Sequence, residues 1–390
     1  MKKQFKLLTD KEHLIRFAVI AFIVMMTVIV IILANKDNGK YQANSSGEYV
    51  SGIVTEVIKD DTEPDPNSEG LRLGEQQIKV KITSGVHKGE IHEVNNQLSV
   101  LYNIYVNKGT KVMLLVTPQT NGSYTISVYA YDRTIIVVGI VIIFLLALCL
   151  IGGKKGVKAV VGLIFTIACM IGILIPLIRK GWPAVGVTWG IVIITTIICF
   201  VILDGIHIKS VSAMISTLIG VGIAGLCSVI VGRLAHITGY NMQEAENLML
   251  VASDCRIHIK GLLLSGILIA SLGAVMDVAM SISSAVYEIH QVNPEMRFRA
   301  LFRSGMNVGR DAMGTMANTL ILAFAGSSIN LLLLVFSYGI PLFRLINTDE
   351  IVIEILRAMA GSIGIVCAVP AAAAVIPGIL YLRKKGKKIN

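Results

Sequence analysis

The stretch TIIVVGIVIIFLLALCLIGG, residues 134–153, decides the fold class. It holds no charged residue, and about 20 apolar residues are needed for a helix to cross the hydrocarbon core of a bilayer. The whole chain shares this character, because 54% of its 390 residues are hydrophobic and only 15% are charged. A typical soluble protein carries about 25% charged residues. We therefore predict a polytopic α-helical membrane protein.

Similar apolar runs lie on both sides of this stretch. They cover residues 17–35, 159–178, 181–203, 210–232, 261–287, 312–343 and 358–382. The run 312–343 is too long for one helix and short for two, so we expect it to break at Gly326-Ser327-Ser328, with its first helix beginning near Ser304. Counted in this way the chain has about eight or nine transmembrane helices, and the course of the last run stays open.

Residues 36–133 follow a different pattern. Four short segments alternate apolar and polar side chains, and Gly-containing turns lie nearby: residues 49–55, 77–82, 111–116 and 124–129. This period of two predicts a small all-β domain between the first two spans. None of the six cysteines falls in this segment, so it folds without disulfides. His87 and His92 lie near a turn and are interpreted as surface residues.

Three regions follow from these patterns. Residues 1–35 form a cytoplasmic tail and a first transmembrane anchor, residues 36–133 an extracytoplasmic β-rich domain, and residues 134–390 a multi-pass transmembrane domain. The net charge of +10 comes mostly from Lys and Arg at the ends of apolar runs. Such charges are typical of cytoplasmic membrane flanks, so we expect no nucleic-acid partner.

The positive-inside rule also predicts the sidedness of the chain. Lys and Arg precede the first run and follow the second, which places the N-terminus in the cytoplasm and the β-rich domain outside. The basic tail after residue 382 disagrees with a ninth full crossing, because the rule would then leave that tail outside. The last run either turns back or violates the rule.

Two consecutive predicted helices carry polar residues along one face. On the helix that begins at Lys260, the face holds Gly273, Asp277, Ser281, Ser284 and Glu288, at steps of three and four residues. On the helix that begins at Ser304, it holds Asn307, Asp311, Thr315, Asn318 and Leu322, with Arg310 beside them. We expect these two polar stripes to converge in the interior of the bundle.

Ionisable groups within a membrane are expensive and usually functional. We therefore predict that Asp277, Arg310 and Asp311 couple proton or cation movement to a conformational change, supported by the polar residues around them. The alternative is that these groups only hold helices together through hydrogen bonds. No metal-ligand cluster, nucleotide-binding signature or Ser/His/Asp arrangement is found. We expect neither a cofactor nor an enzymatic activity.

The sequence resembles the YibE/F family of bacterial membrane proteins. The resemblance rests on LGAVMDVAMSISS at residues 272–284 and RDAMGTMANTL at residues 310–320, with DGIHIK at residues 204–209 in support. It covers residues 134–382, and the placement of the β-rich domain agrees with it. The resemblance implies a bacterial plasma membrane and indicates little about chemistry.

Taken together, these patterns favour a secondary transporter or exporter of an unidentified small molecule or ion. The first alternative is a non-transporting scaffold or sensor whose β-rich domain binds an extracellular ligand or partner, and the second is an intramembrane enzyme. The lipid bilayer is the one partner that the composition demands, and the sequence leaves a homo-oligomer open.

Overall fold

The computed structural model describes residues 25–35, 47–66, 68–119, 123–240, 242, 245, 248–249, 259 and 261–386. The chain divides into two compact units, Asn38–Leu150 and the remainder. The first contains the β-strands, and the second contains most of the helices. The predicted span 17–35 lies only partly within the described residues.

The β unit is a single antiparallel sheet of five strands in the order β3-β2-β1-β4-β5. The strands are β1 (Glu48–Pro64), β2 (Arg72–Ile82), β3 (Ile91–Leu98), β4 (Lys111–Pro118) and β5 (Tyr124–Tyr131). Alternate side chains such as Val54, Ile78 and Leu114 are fully buried, and they form one apolar core. The predicted β-rich segment before the second apolar run is confirmed.

Eleven helical segments are described. Ten are α-helical: α1 (Met25–Asn35), α2 (Thr134–Cys169), α3 (Ile175–Arg179), α4 (Ala184–Asp204), α5 (Ile208–Leu234), α6 (Leu262–Val292), α7 (Phe298–Ser327), α8 (Ile329–Ser337), α9 (Leu342–Leu345) and α10 (Asp349–Gly386). One turn of π-helix, Met170–Leu174, joins α2 to α3. Among the described residues, five helical stretches are long and apolar enough to cross a membrane, or six if the bent pair α7–α8 counts as one span.

The predicted second and third spans, 134–153 and 159–178, belong to one 46-residue helical stretch that ends at Arg179. Gly153 interrupts it with φ 54° and ψ −134°, a conformation that glycine adopts without a Cβ clash. The kink therefore lies where the sequence predicted the turn between two spans. Two helices meet at this kink without a separate loop between them.

Helices α5, α6, α7 and α10 are neighbours in the second unit, and glycines set how closely they approach. A Cβ on Gly220 of α5 would lie 2.8 Å from Val275 of α6 and 2.9 Å from Ala368 of α10. A Cβ on Gly309 of α7 would lie 2.2 Å from Val369 of α10. Small residues permit such close packing between apolar helices, where lipid offers no competing hydrophobic force.

The predicted run 312–343 does not form two spans. The break comes at Ser328, between α7 and α8, which are bent by 57° relative to each other. Helix α8 has nine residues, about 13.5 Å at 1.5 Å per residue, which is less than half of a bilayer core. The expected second span in this run was therefore wrong. The chain bends at Ser328, and the apolar residues after the bend form a helix that is too short to cross.

Helix α10 returns alongside α7 in the opposite direction. Gly305 and Gly309 of α7 meet Ala373 and Val369 of α10, and Gly361 meets Leu320. The beginning of α10 is therefore level with the end of α7, and its basic C-terminal end lies beside the loop between α6 and α7. The short arm α8–α9 connects these two antiparallel helices along the chain.

Basic residues collect at this same end of the helical unit. Lys158 donates a 2.9 Å hydrogen bond to the carbonyl of Leu203, at the end of α4. Arg383 lines a cleft with Tyr287, at the end of α6, and with Ile208, at the start of α5. Lys209 follows Ile208, and Arg297 lines a cleft with Tyr381 of α10. Four basic residues that are far apart in sequence therefore lie at one end of the helical unit: Lys158, Lys209, Arg297 and Arg383.

Candidate functional site

The polar stripe of α6 lies opposite the packed face of that helix. Asp277, Ser281 and Glu288 are exposed, as is Gly273, and Ser284 is partly buried. The opposite face is filled by Val275, Val278, Ile282 and Val286, which are fully buried. The helical periodicity of the stripe was therefore predicted correctly, since polar and apolar residues occupy opposite sides.

The polar stripe of α7 also faces away from the packed core. Its members are exposed in the described part of the chain: Asn307, Arg310, Asp311, Thr315, Asn318 and Leu322. The packed face of α7 instead consists of Leu301, Gly305 and Gly309, all buried. Arg310 donates a long hydrogen bond of 3.5 Å from Nη1 to Oδ1 of Asn307, three residues earlier on the same face.

The expected convergence of the two stripes in the bundle interior is not found. A Cβ at Gly305 would lie 2.9 Å from Val286, and one at Gly309 would lie 3.0 Å from Ile282. This close apolar contact between α6 and α7 leaves no space for ionised groups. The glycines thus turn the apolar faces inward and the polar faces outward.

The two carboxylates nevertheless lie at similar depth. The contacts of Gly305 with Val286 and of Gly309 with Ile282 fix the register of the antiparallel pair. In this register Asp311 is level with residue 280, three residues or about 4.5 Å from the level of Asp277. Asp277 is also the midpoint of α6, Leu262–Val292. Both acids therefore belong to the central zone of long helices.

No ion pair compensates these charges within the described residues. Asp277, Arg310 and Asp311 form none, whereas pairs do occur near the helix ends. Lys209 Nζ lies 3.2 Å from Asp204 Oδ1, and Arg357 Nη1 lies 2.6 Å from Glu354 Oε1. Charges near the ends can meet water or headgroups, but those in the central zone need a dedicated partner or an aqueous path. Their role in ion coupling stays a prediction.

A cleft at the basic end was not predicted from the sequence. It has a volume of about 350 Å³, and its lining includes His290, Pro294, Arg297, Phe298, Pro377 and Tyr381. The Nδ1 atom of His290 is buried there without a hydrogen-bond partner in the described residues. The lining comes from α6, α7 and α10, so no local motif could have indicated it.

The β unit contains a hydrogen-bonded cluster of titratable side chains. Glu90 lies between two histidines, with His87 Nδ1 at 3.2 Å and His92 Nε2 at 2.9 Å, and Tyr124 donates a hydrogen bond to it. The Tyr124 bond, followed by those of His92 and His87, lowers the pKa of Glu90 to about 2. The cluster joins the start of β5 to the start of β3.

The prediction that His87 and His92 are surface residues agrees with their partial exposure, 28% and 32% of each side chain. Their connection to Tyr124 through Glu90 was not predicted, because Tyr124 lies on a distant strand. Across the described residues no group of three or more His, Cys, Asp or Glu could hold a metal ion. The cluster connects the start of β3 to the start of β5 through Glu90 and Tyr124.

Comparison with known proteins identifies two regions of the chain. The family described as YibE/F-like protein matches residues 140–381, and the YibE/F family N-terminal domain matches residues 48–131. No curated protein and no solved structure shows a significant match. The first region contains both polar stripes, and the second coincides with the five-stranded sheet.

Proposed function

We propose a function from the premise that the chain belongs to the YibE/F family, to which nearly its whole length matches. Together with the long apolar helices, this membership suggests a membrane protein. We propose that the protein is a secondary transporter or exporter driven by a proton or cation. Asp277 is the primary carrier, and Arg310 and Asp311 are the groups that respond to it.

One observation carries this proposal: in the middle of two long helices, Asp277, Arg310 and Asp311 have no ion-pair partner among the described residues. Asp277 and Asp311 lie about 4.5 Å apart in depth by the helix register. A membrane protein that needed these positions only for packing would be more stable with apolar residues there. Unpaired acids at matched depth instead supply two binding positions for a proton or a cation.

The proposed cycle follows from the charge of Asp277. When ionised, this carboxylate requires water, a cation or Arg310 close to it, so α6 must stay in a position that provides one of them. When protonated, it is neutral and can pass through an apolar environment at much lower cost. The two protonation states therefore favour different positions of α6, which is the property a coupled transporter needs.

The sidedness proposed for the protein follows from the clustered basic flanks. The end that holds Lys158, Lys209, Arg297 and Arg383 faces the cytoplasm under the positive-inside rule. The N-terminus then lies in the cytoplasm of a bacterial cell, and the β unit, which follows α1 in the chain, lies outside. Single-cysteine labelling after residue 386 tests this. A tail that reacts with an impermeant thiol reagent from outside intact cells contradicts the arrangement.

Ion flux in proteoliposomes tests the coupling directly. Purified full-length protein is reconstituted with a pH-sensitive or sodium-sensitive dye inside, and flux is driven by an imposed gradient. Asp277→Asn is expected to abolish the protein-dependent flux. Asp204→Asn is the matched control, because Asp204 is paired with Lys209 near a helix end, and it should retain flux.

The coupling proposal fails if Asp277→Asn, folded and inserted normally, conducts at the rate of the unmodified protein. Thermal unfolding and elution volume in detergent establish that the variant is folded. In that case the polar stripes serve only helix association.

A second candidate function is a scaffold or sensor whose β unit binds an extracellular partner. It is favoured by three consecutive apolar side chains in the loop after β3, because Val100, Leu101 and Tyr102 are 64%, 87% and 66% exposed. Large exposed apolar side chains on a small domain mark contact surfaces. If this function is correct, replacing Leu101 by Ser abolishes the cellular phenotype of the protein while Asp277→Asn leaves it unchanged.

A further inference from the structure

The exposed face of α7 is incompatible with lipid. Four polar residues cover it over 12 residues, or about 16 Å, which is about half of a bilayer core: Asn307, Arg310, Asp311 and Asn318. Acyl chains offer no hydrogen-bond partner to any of these groups. Another polar surface or water must therefore cover this face in the membrane.

Nothing in the described part of this chain covers it. Helices α6 and α10 contact α7 on its opposite side, through Gly305 and Gly309. Helix α8, the next segment along the chain, is bent 57° from the axis of α7.

Gly314 is a second, independent feature of the same face. The other glycines in the middle of α7 have packing partners, since a Cβ at Gly305 or Gly309 would meet Val286 or Val369. A Cβ at Gly314 would meet nothing within 4 Å. This glycine lowers the helix propensity of α7, and no described residue packs close to it. A close approach by another helix would account for it.

We propose that this face of α7 pairs with the same face of a second copy of the chain. Two copies inserted in the same direction are related by a two-fold axis along the membrane normal, so their α7 helices run parallel. Equal residue numbers then lie at equal depth. Arg310 of one copy meets Asp311 of the second copy, and the converse pair forms by symmetry.

This arrangement satisfies each group on the face. The two symmetric Arg310–Asp311 pairs neutralise four charges that otherwise have no partner. Asn307 and Asn318, about one helical turn or two away, can hydrogen-bond across the axis. Gly314 lies one turn from Arg310, where it lets the two backbones approach. The face is thus self-complementary, as an isologous interface requires.

The pairing of two copies also extends the proposed function, and this extension rests on the proposed function. Protonation of Asp311 would remove the negative partner of Arg310 in the second copy. The strength of the interface would then depend on the protonation state of Asp311, one of the two groups proposed to respond to Asp277. The dimer itself depends only on the geometry and charges of α7.

Disulfide cross-linking tests the interface in the full-length chain. The six native cysteines are replaced, and single cysteines are introduced by Gly314→Cys or Asn318→Cys. Leu226→Cys is the matched control, because Leu226 of α5 is 60% exposed on another helix. In membrane vesicles treated with a mild oxidant, the two α7 variants should form covalent dimers and Leu226→Cys should remain monomeric.

Charge reversal tests the specific pair. Arg310→Asp alone and Asp311→Arg alone should each produce monomers in detergent, measured by light scattering during size exclusion. The double variant Arg310→Asp with Asp311→Arg restores opposite charges across the axis and should restore the dimer. Because the double variant carries both substitutions, its recovery shows that the single variants did not simply misfold.

Two results would overturn the proposal. One is equal cross-linking at Leu226 and Gly314, which indicates random collision. The other is a monomer whose cysteine at position 314 or 318 reacts with an impermeant thiol reagent, which indicates a water-filled path within one chain. Ion flux by a purified monomer would contradict the proposed dimer and support the proposed transport function. A stable dimer without flux would support the dimer and contradict the transport function.

Discussion

The β unit and the helical unit differ in which side chains they expose. In the β unit, large apolar residues such as Ile78 and Leu114 are fully buried. In the helical unit, Leu226 and Leu234 of α5 are 60% and 76% exposed, while Ser212 and Thr217 are fully buried. An apolar exterior suits lipid, and the helical unit buries small hydroxyl side chains beside apolar ones such as Ile282. The exposed side chains therefore indicate the surroundings that suit each unit, which are water for the β unit and lipid for the helical unit.

The two units also satisfy buried polar groups in different ways. In the β unit, Gln76 accepts a hydrogen bond from the backbone N–H of Val106 at 3.1 Å and donates one to its carbonyl at 3.2 Å. It therefore joins a strand to a distant loop. In the helical unit, Thr188 and Thr196 donate to carbonyls four residues earlier in their own helix, at 2.8 Å and 2.6 Å. Polar groups specify the tertiary structure of the first unit, whereas close packing specifies that of the second.

The largest effect is expected from Gly309→Ala in the helical unit. Its Cβ would lie 2.2 Å from Val369 Cγ1, and such overpacking costs typically about 1–3 kcal/mol. Gly266→Ala on α6 is the control, because a Cβ there meets nothing within 4 Å. It should be neutral or stabilising, since alanine is the better helix former. Thermal unfolding in detergent measures both, and equal unfolding temperatures would contradict the packing account.

Gln76→Ala should destabilise the β unit by a comparable or smaller amount. It leaves the buried N–H of Val106 without its acceptor, a loss of about 1–3 kcal/mol. The neighbouring Gln77→Ala changes an exposed side chain on the same strand and should have little effect. Hydrogen exchange at the Val106 amide is the measurement. Protection that persists in Gln76→Ala would show that the amide has another acceptor.

Acid should loosen the link between β3 and β5. The pKa of Glu90 is lowered to about 2 from about 4.3 in an unfolded chain. Its stabilising effect is therefore complete above the unfolded value and is lost as the pH falls through about 2. Tyr124→Phe removes the largest cause of the lowered pKa, so exchange protection in β5 should be lost at higher pH than in the unmodified protein. Superimposable pH profiles would contradict this role of Tyr124.

The smallest effect is expected from the exposed ion pair of β1 and β2. Lys79 Nζ lies 3.0 Å from Glu56 Oε2, and exposed pairs contribute roughly 0.2–1 kcal/mol. Lys79→Ala should therefore lower the unfolding temperature slightly, and less so at high salt. A loss as large as that of Gln76→Ala would show that Lys79 has a further structural role.

Periodicity was enough to predict the two kinds of unit and which residues share a face of α6 and of α7. Alternation at residues 77–82 identified a strand, and steps of three and four placed Asp277 with Ser281 on one side of α6. These properties are local, because a repeat of 2 or 3.6 residues fixes which side chains share a face. The break near Ser327 was likewise predictable from the small polar residues there.

Only the tertiary structure decided which way those faces point and how the chain ends. The polar stripes were expected inside the bundle. Instead, Gly305 and Gly309 let the apolar sides of α6 and α7 pack closely. The closeness of this packing depends on Val286 and Val369, which belong to other helices. The sequence likewise left the course of the last run open, and the contacts of Gly305 and Gly309 with α10 decided it. A sequence specifies the faces of a helix, but the neighbours that cover each face come from distant parts of the chain, and those contacts are what folding selects.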